Sequence, residues 1–165
     1  MYWDFLRLFH ELKTGITRAG IMQGRSGADI SSIGVDTWGV DYGLLGRDGM
    51  LLSSPVHYRD ARTEGMLKKA FSRMDRERLY EITGSQFMEI NTAFQLMAEQ
   101  EYREELLEQA ESMLLMPDLF SYFLSGEMGS EYTIASTTQM LDAVKKDWSG
   151  EVLEGLGLPS RILKP

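Results

Sequence analysis

Ile33-Gly-Val-Asp-Thr-Trp-Gly-Val-Asp-Tyr-Gly-Leu-Leu45 is the stretch that decides the fold. From Ile30 to Trp38 the chain is β-branched and apolar and reads as a buried strand. Asp36, Gly39 and Asp41 gather around the end of that strand, with Trp38 and Val40 flanking Gly39. Ligands of open α/β sheets bind outside the carboxyl ends of strands. A loop, Pro55-Val-His-Tyr-Arg-Asp-Ala-Arg-Thr63, follows and carries Arg59, Asp60 and Arg62. Tightly turned backbone with carboxylates and guanidinium groups suits a polyol, which takes many hydrogen bonds and few apolar contacts. A plainer reading stays open. Asp36 and Asp41 can cap turns, Gly39 can relieve a bend, and the arginine loop can be a surface ion-pair cluster of little energetic weight.

Outward from this stretch, Tyr42 to Leu45 and Met50 to Leu52 flank Gly46-Arg-Asp-Gly49 and predict a hairpin. Upstream, Phe5, Leu8, Phe9, Leu12 and Ile16 recur at helical spacing, so an amphipathic helix opens the chain. Gly20, Gly24 and Gly27 predict a loop after it. Downstream, Glu64 to Phe71 and Arg76 to Ile82 predict short helices, with Gly84 as a C-terminal stop. Thr92-Ala-Phe-Gln95 fits a capping box and opens a helix. Glu104 to Glu111 continues helical. Ser112 to Met116, stopped by Pro117, predicts a strand, and Leu119 to Leu124 a helix ending near Gly126. Ser130 to Ala143 reads as a loop leading into a helix. Ser149 caps a last short helix that Gly157 and Pro159 end. Strands alternating with helices predict an α/β layer fold with parallel pairing.

Composition narrows the function. The chain has 165 residues, one domain's worth, with 43% hydrophobic and 25% charged residues, as in a globular protein. A net charge of −8 with scattered Lys and Arg argues against a nucleic-acid partner, which needs a basic face. Without cysteine there is no disulfide, no thiolate nucleophile and no Cys-ligated metal. Met1 to Leu12 carries Asp4, Arg7 and Glu11 and is not a signal peptide. No apolar run predicts a membrane span, and a cytoplasmic location is expected. There is no P-loop, dinucleotide fingerprint or nucleophile elbow.

The remaining polar groups each have an ordinary reading. His10 belongs on the polar side of the first helix, and His57, near the proposed site, can hydrogen-bond substrate but reads first as a packed loop residue; the pair makes no metal site. Asp118, at the start of a helix, is favoured there by the helix dipole alone. Ser136, Thr137, Thr138 and Gln139 can line a cleft or begin a helix. Glu99 to Glu111 reads as a solvated acidic face, and the methionines as core filler.

Together these segments resemble the bacterial rhamnulokinases, within the FGGY carbohydrate kinases. The resemblance rests on Ser32-Ile-Gly-Val-Asp-Thr-Trp-Gly-Val-Asp41, Pro55-Val-His-Tyr-Arg-Asp-Ala-Arg-Thr63 and Thr83-Gly-Ser-Gln-Phe-Met88. Asn91-Thr-Ala-Phe-Gln-Leu96, Met116-Pro-Asp-Leu-Phe-Ser-Tyr-Phe-Leu-Ser-Gly126 and Glu131-Tyr-Thr-Ile-Ala-Ser-Thr-Thr-Gln139 continue it in family order over nearly the whole chain. The first two motifs separate rhamnulokinase-like chains from xylulose and glycerol kinases. The resemblance implies a ribonuclease-H-like (actin-like ATPase) α/β domain, with the sugar held in a cleft against a second, ATP-binding domain. It implies transfer of the γ-phosphate of Mg-ATP to the 1-hydroxyl of L-rhamnulose, in L-rhamnose catabolism. It places Gly39 at the family's sugar-contact position, with Trp38, Val40 and Asp41 around it and Arg59 and Asp60 in the substrate-side loop.

Against that family pattern, residues 1–165 read as a partial N-terminal, sugar-side domain that lacks the first β-hairpin. The phosphate loop and the catalytic base are expected outside the chain, as is the second domain. The isolated chain is therefore expected to be inactive, to bind neither metal nor Mg-ATP by itself, and to have a ketose as its partner. The strand Ile33 to Thr37 would present an unpaired apolar edge, so self-association or docking with a complementary kinase fragment is expected. The competing readings are a non-catalytic carbohydrate-binding or regulatory module, and an inactive remnant.

Overall fold

The computed structural model describes residues 1–26 and 29–165. At its centre Tyr42–Leu45 (β1) pairs antiparallel with Ser112–Leu115 (β2), Tyr42 opposite Leu115 and Leu45 opposite Ser112. Side chains alternate across a strand. Tyr42, Leu44, Met113 and Leu115 therefore enter the larger core, while Leu45, Leu114 and Met116 enter the smaller one. Burial on both faces explains why these strands read as continuous apolar runs. Gly43 sits where no side chain fits: a Cβ there would stand 2.8 Å from both Leu119 and Leu51.

The first helix, Phe5–Ser26 (α1), belongs to the smaller core. Phe5 is buried, and its ring lies 4.9 Å from that of Phe120 and 5.1 Å from that of Phe123. Beyond Leu12 the helix runs into solvent, with Ile21 and Met22 exposed. Helices Met66–Arg73 (α2), Arg76–Thr83 (α3), Thr92–Tyr102 (α4) and Glu104–Gln109 (α5) pack around the larger core. Their ends follow local chemistry: the Asp75 carboxylate accepts from Arg78 N, and Gly84 takes the left-handed conformation that stops α3. Met116–Ser125 (α6) follows β2 directly, with Pro117 in its first turn and left-handed Gly126 closing it. Tyr132–Ala135 (α7) leads through a 3-10 turn, Ser136–Thr138, to two short paired strands, Leu141–Asp142 (β3) and Asp147–Trp148 (β4). Ser149 caps Gly150–Leu156 (α8), and Gly157 ends it.

Several expectations are corrected. Ile30 to Trp38 forms no strand; Ile30 and Ile33 are exposed, because a strand exists only within a ladder and no described residue offers one here. Gly20 and Gly24 lie inside α1 rather than in a loop. A Cβ at either would meet nothing, so they cost the helix only their backbone freedom, roughly 1 kcal/mol each. Gly27 lies outside the described residues. Both sheets are antiparallel, with no parallel pair among the described residues. A strand buried on both faces reads the same whichever way its neighbour runs. The Gly46–Gly49 turn forms as expected, but its second arm is a single bridge, Leu45 to Leu51. The loop before Tyr132 leads into a helix as expected, but that helix, α7, is short, and after the 3-10 turn the chain makes the β3–β4 hairpin, with Asp142 accepting from Val144 N and Lys145 N at its bend. Glu99 is buried rather than part of a solvated face.

Candidate functional site

Trp38-Gly-Val-Asp41 leads into β1 and makes a γ-turn. Asp41 N donates to Gly39 O at 2.9 Å, and Val40 between them has φ 67°. This is the rare left-handed form of the turn, on a β-branched residue, and costs about 1–3 kcal/mol. The surrounding structure holds it. Val40 O accepts from Thr92 Oγ1 at 2.7 Å and Gln95 Nε2 at 3.2 Å. Thr92 and Gln95 thus serve the turn, and the expected capping box does not form; Asn91 occupies the cap position of α4.

Asp41 has no exposed surface. Its Oδ2 accepts from the indoles of Trp3 at 2.6 Å and Trp38 at 3.0 Å, and from Tyr58 N at 3.2 Å. Its Oδ1 accepts from Gln95 Nε2 at 3.0 Å. Behind Gln95 lies Arg62, whose Nη2 donates to Gln95 Oε1 at 2.9 Å and whose Nη1 stands 3.0 Å from Glu99 Oε2. Burial works against the Arg62 charge, yet Tyr42 and Glu99 beside it hold the guanidinium protonated above its ordinary range. Burial likewise pushes the Tyr42 hydroxyl well above its ordinary value.

Over this turn opens a cleft of about 460 Å³. Trp38, Gly39, Val40 and Tyr58 line one side, and Ser85, Gln86, Met88, Ile90, Asn91 and Thr137 the other. Gln139, itself left-handed at φ 64°, ties the far side together. Its Oε1 accepts from Asn91 Nδ2 at 2.8 Å, and its Nε2 donates to Thr83 Oγ1 at 2.7 Å. Asn91 Nδ2 also donates to Gln86 O at 2.9 Å. Among the described residues the Tyr58 hydroxyl and the Gln86 side-chain amide have no hydrogen-bond partner, and both residues line the cleft. Aromatic faces beside free amide and hydroxyl groups suit a neutral polyhydroxylated ligand. Among the described residues no carboxylate or cationic side chain lines the cleft, so these residues do not fit a metal-bound triphosphate, which needs both.

Of the residues singled out in the sequence, Trp38, Gly39 and Val40 meet at the cleft. Asp41 lies beneath its floor. Arg59 is exposed, with its guanidinium 5.5 Å from the centre of the Tyr58 ring. Asp60 bonds the amino terminus, which holds its carboxyl below the usual range, and caps the 3-10 turn Ala61–Thr63. Asp36 is exposed, and His57 stacks on Trp3 with ring centres 4.2 Å apart. Thr137 and Gln139, from the polar run that can line a cleft, lie at its far side; Tyr58, Gln86 and Gln95 were not singled out for the site. A Gln and a Glu one turn apart in the otherwise apolar run of α4 are the signal that points to the buried network.

The fold is that of an α/β sugar-kinase lobe. The chain belongs to the FGGY family of carbohydrate kinases, whose N-terminal domain it matches over residues 1–165. It is 42% identical over 161 residues to a rhamnulokinase of Pectobacterium atrosepticum, covering 98% of this chain and 32% of that protein. It is 43% identical over 157 residues to a rhamnulokinase of Bacteroides thetaiotaomicron, covering 95% and 32%. The chain thus spans about a third of the length of the curated relatives it matches. Among solved structures, the xylulose kinase of Rhodospirillum rubrum superposes with a TM-score of 0.91 at 15% identity, over 99% of this chain and 34% of that one. The ligand-bound xylulose kinase of Lactobacillus acidophilus gives 0.86 at 19%, over 99% and 33%. These likenesses show the α/β, actin-like fold. No helix among the described residues is long and apolar enough to cross a membrane.

Proposed function

We propose that the chain is the sugar-binding portion of an ATP-dependent kinase resembling the rhamnulokinases, one that phosphorylates the 1-hydroxyl of L-rhamnulose in the cytoplasm. The observation that carries this reading is the uncharged, aromatic-edged cleft over the Gly39–Asp41 turn. The rhamnulokinase relatives support the choice of ketose. Trp38, Gly39 and Val40 contact the sugar, Asp41 supports them from below, and Arg59 and Asp60 shape the loop that carries Tyr58.

Phosphoryl transfer is positioning plus stabilisation of spread negative charge. The residues described supply positioning. In this proposal the nucleotide, its metal and the base come from parts of the kinase outside residues 1–165, including a second, ATP-binding domain. The chain by itself then binds sugar weakly, in the millimolar range expected of half a site (about −4 kcal/mol), and transfers no phosphate. The absence of charge along the cleft also favours a second reading, a non-catalytic carbohydrate-binding module.

Two-dimensional amide NMR of the chain during titration with L-rhamnulose tests the sugar site. Shifts focused on Gly39, Tyr58 and Thr137 support it; a spectrum indifferent to every ketose tried refutes it. ADP release from Mg-ATP and L-rhamnulose by the pure chain would refute the inactivity. The kinase reading and the binding-module reading separate on whether adding the rest of the kinase restores turnover.

A further inference from the structure

Arg62 lines no part of the cleft, yet it stands behind Gln95, which holds the cleft floor. Its guanidinium bridges two side chains of α4 one turn apart, Gln95 and Glu99, which are 1% and 3% exposed. Arg103 stands 3.4 Å from the same Glu99 carboxylate and anchors it from a second side.

A glutamine amide has two chemically opposite ends. At Gln95 three acceptors face the nitrogen: Asp41 Oδ1 at 3.0 Å, Val40 O at 3.2 Å and Ile90 O at 2.9 Å. Turned round, the amide would set its oxygen against a carboxylate and two carbonyls, and its NH2 against a guanidinium. Arg62, the donor on the oxygen side, completes with these three acceptors the set of partners that fixes the orientation. The nitrogen it fixes holds both the carbonyl of the strained Val40 and the carboxylate that receives the Trp38 indole.

We propose that Arg62 is a positioning residue for the cleft. Braced by Glu99, it locks the Gln95 amide, which holds the γ-turn and the Asp41 carboxylate and so sets where Trp38 and Gly39 meet a ligand. Its bearing on sugar affinity rests on the sugar-site reading above; its coupling to Trp38 does not.

The test compares the chain with Arg62→Met/Glu99→Met, which removes both charges and leaves neither buried alone. The expected result is a shift of the Trp3 and Trp38 indole N–H signals in nitrogen-15 NMR. Trp148, whose indole donates to Lys164 O, keeps its signal. Affinity for L-rhamnulose falls about tenfold or more while unfolding stays cooperative. Arg103→Met, which removes the other partner of Glu99 and leaves Gln95 untouched, changes neither the Trp38 signal nor the affinity. A double variant with an unmoved Trp38 indole overturns the proposal, whether or not sugar binds. A wild-type chain blind to every ketose, with the indole still moving in the double variant, overturns the sugar reading and upholds the coupling. Should the double variant fail to fold, the wild-type chain decides. Slow exchange of the Gln95 side-chain NH2 protons, with proximity signals to Val40 and Asp41, supports the lock; exchange at the rate of a free amide overturns it.

Discussion

The Trp38 indole donates to the carboxylate of Asp41, three residues further along, at 3.0 Å and so closes a ring around the strained γ-turn. The Trp3 indole, tilted 35° against that of Trp38 with centroids 4.1 Å apart, reaches the same oxygen at 2.6 Å. One buried carboxylate therefore orients an aromatic wall of the cleft and ties the segment before α1 to the floor. Replacing it strands two indole donors and the Tyr58 amide. Asp41→Ala is expected to cost about 2–4 kcal/mol, from the lost charge-assisted bonds and the donors left unpaired. Urea unfolding followed by tryptophan fluorescence measures this. A loss of only a few tenths would mean that the turn is held by Thr92 and Gln95 without the aspartate.

Gly39 separates a stability effect from a binding effect. A Cβ there would stand 3.3 Å from Thr137 Oγ1 and 3.4 Å from its Cγ2, across the mouth of the cleft. Gly39→Ala is expected to cost below about 1 kcal/mol, since the threonine can yield by a few tenths of an ångström. Sugar binding suffers more, because the methyl group occupies the cleft itself. Gly39→Ala/Thr137→Ala returns the space and recovers most of the affinity. Calorimetric titration of the three chains decides; an unchanged affinity in Gly39→Ala would remove this wall from the site.

Much of the fold was legible because its signals are local. Asp75, Gly84, Gly126, Ser149 and Gly157 stand at helix ends with the caps their chemistry prefers. The strand Ser112–Leu115 was legible from its length and the proline after it. Ile30 to Trp38 misled because its composition reports burial in a ladder, and a ladder needs a partner that no local pattern supplies. At the site, Trp38, Gly39 and Val40 were legible as the residues around a bend. The charge of Asp41 suggested a contact with ligand, but the carboxylate is taken up by two indoles and two further donors beneath the floor. Arg62 comes from a segment that only tertiary packing brings to Gln95 behind the turn.

Asp118 gives a pH dependence with a defined sign. Burial pushes its carboxyl from 3.8 up to about 6; the bond from Glu131 N opposes the shift, and the nearby Glu131 charge adds to it. The folded state therefore holds the proton more tightly than the unfolded one. Stability falls as pH rises between 3.8 and about 6, and levels off above. Asp118→Asn removes the titration. Because the group is only half-buried, solvent screening and the start of α6 reduce the effect to about 1 kcal/mol. The variant is expected to be more stable than the wild type at neutral pH and nearly equal to it below pH 4. Thermal unfolding of both chains across this range checks the sign; a variant less stable at neutral pH would show that the ionised carboxylate is favoured at the helix start.

Residues 29–38 bear on association. Ile30 and Ile33 are 41% and 54% exposed in a segment with no ladder partner among the described residues. An apolar stretch that lies outside any ladder is a template for strand addition by another chain. Self-association through this segment is accordingly proposed, and Ile33→Lys is expected to weaken it, since a charge on the added strand must be desolvated. Sedimentation velocity over a range of concentrations measures it. A wild-type chain that stays monomeric at the highest concentration defeats the proposal. Equal association of wild type and variant moves the contact elsewhere, and the exposed Ile21 and Met22 on the outer half of α1 become the surface to substitute next.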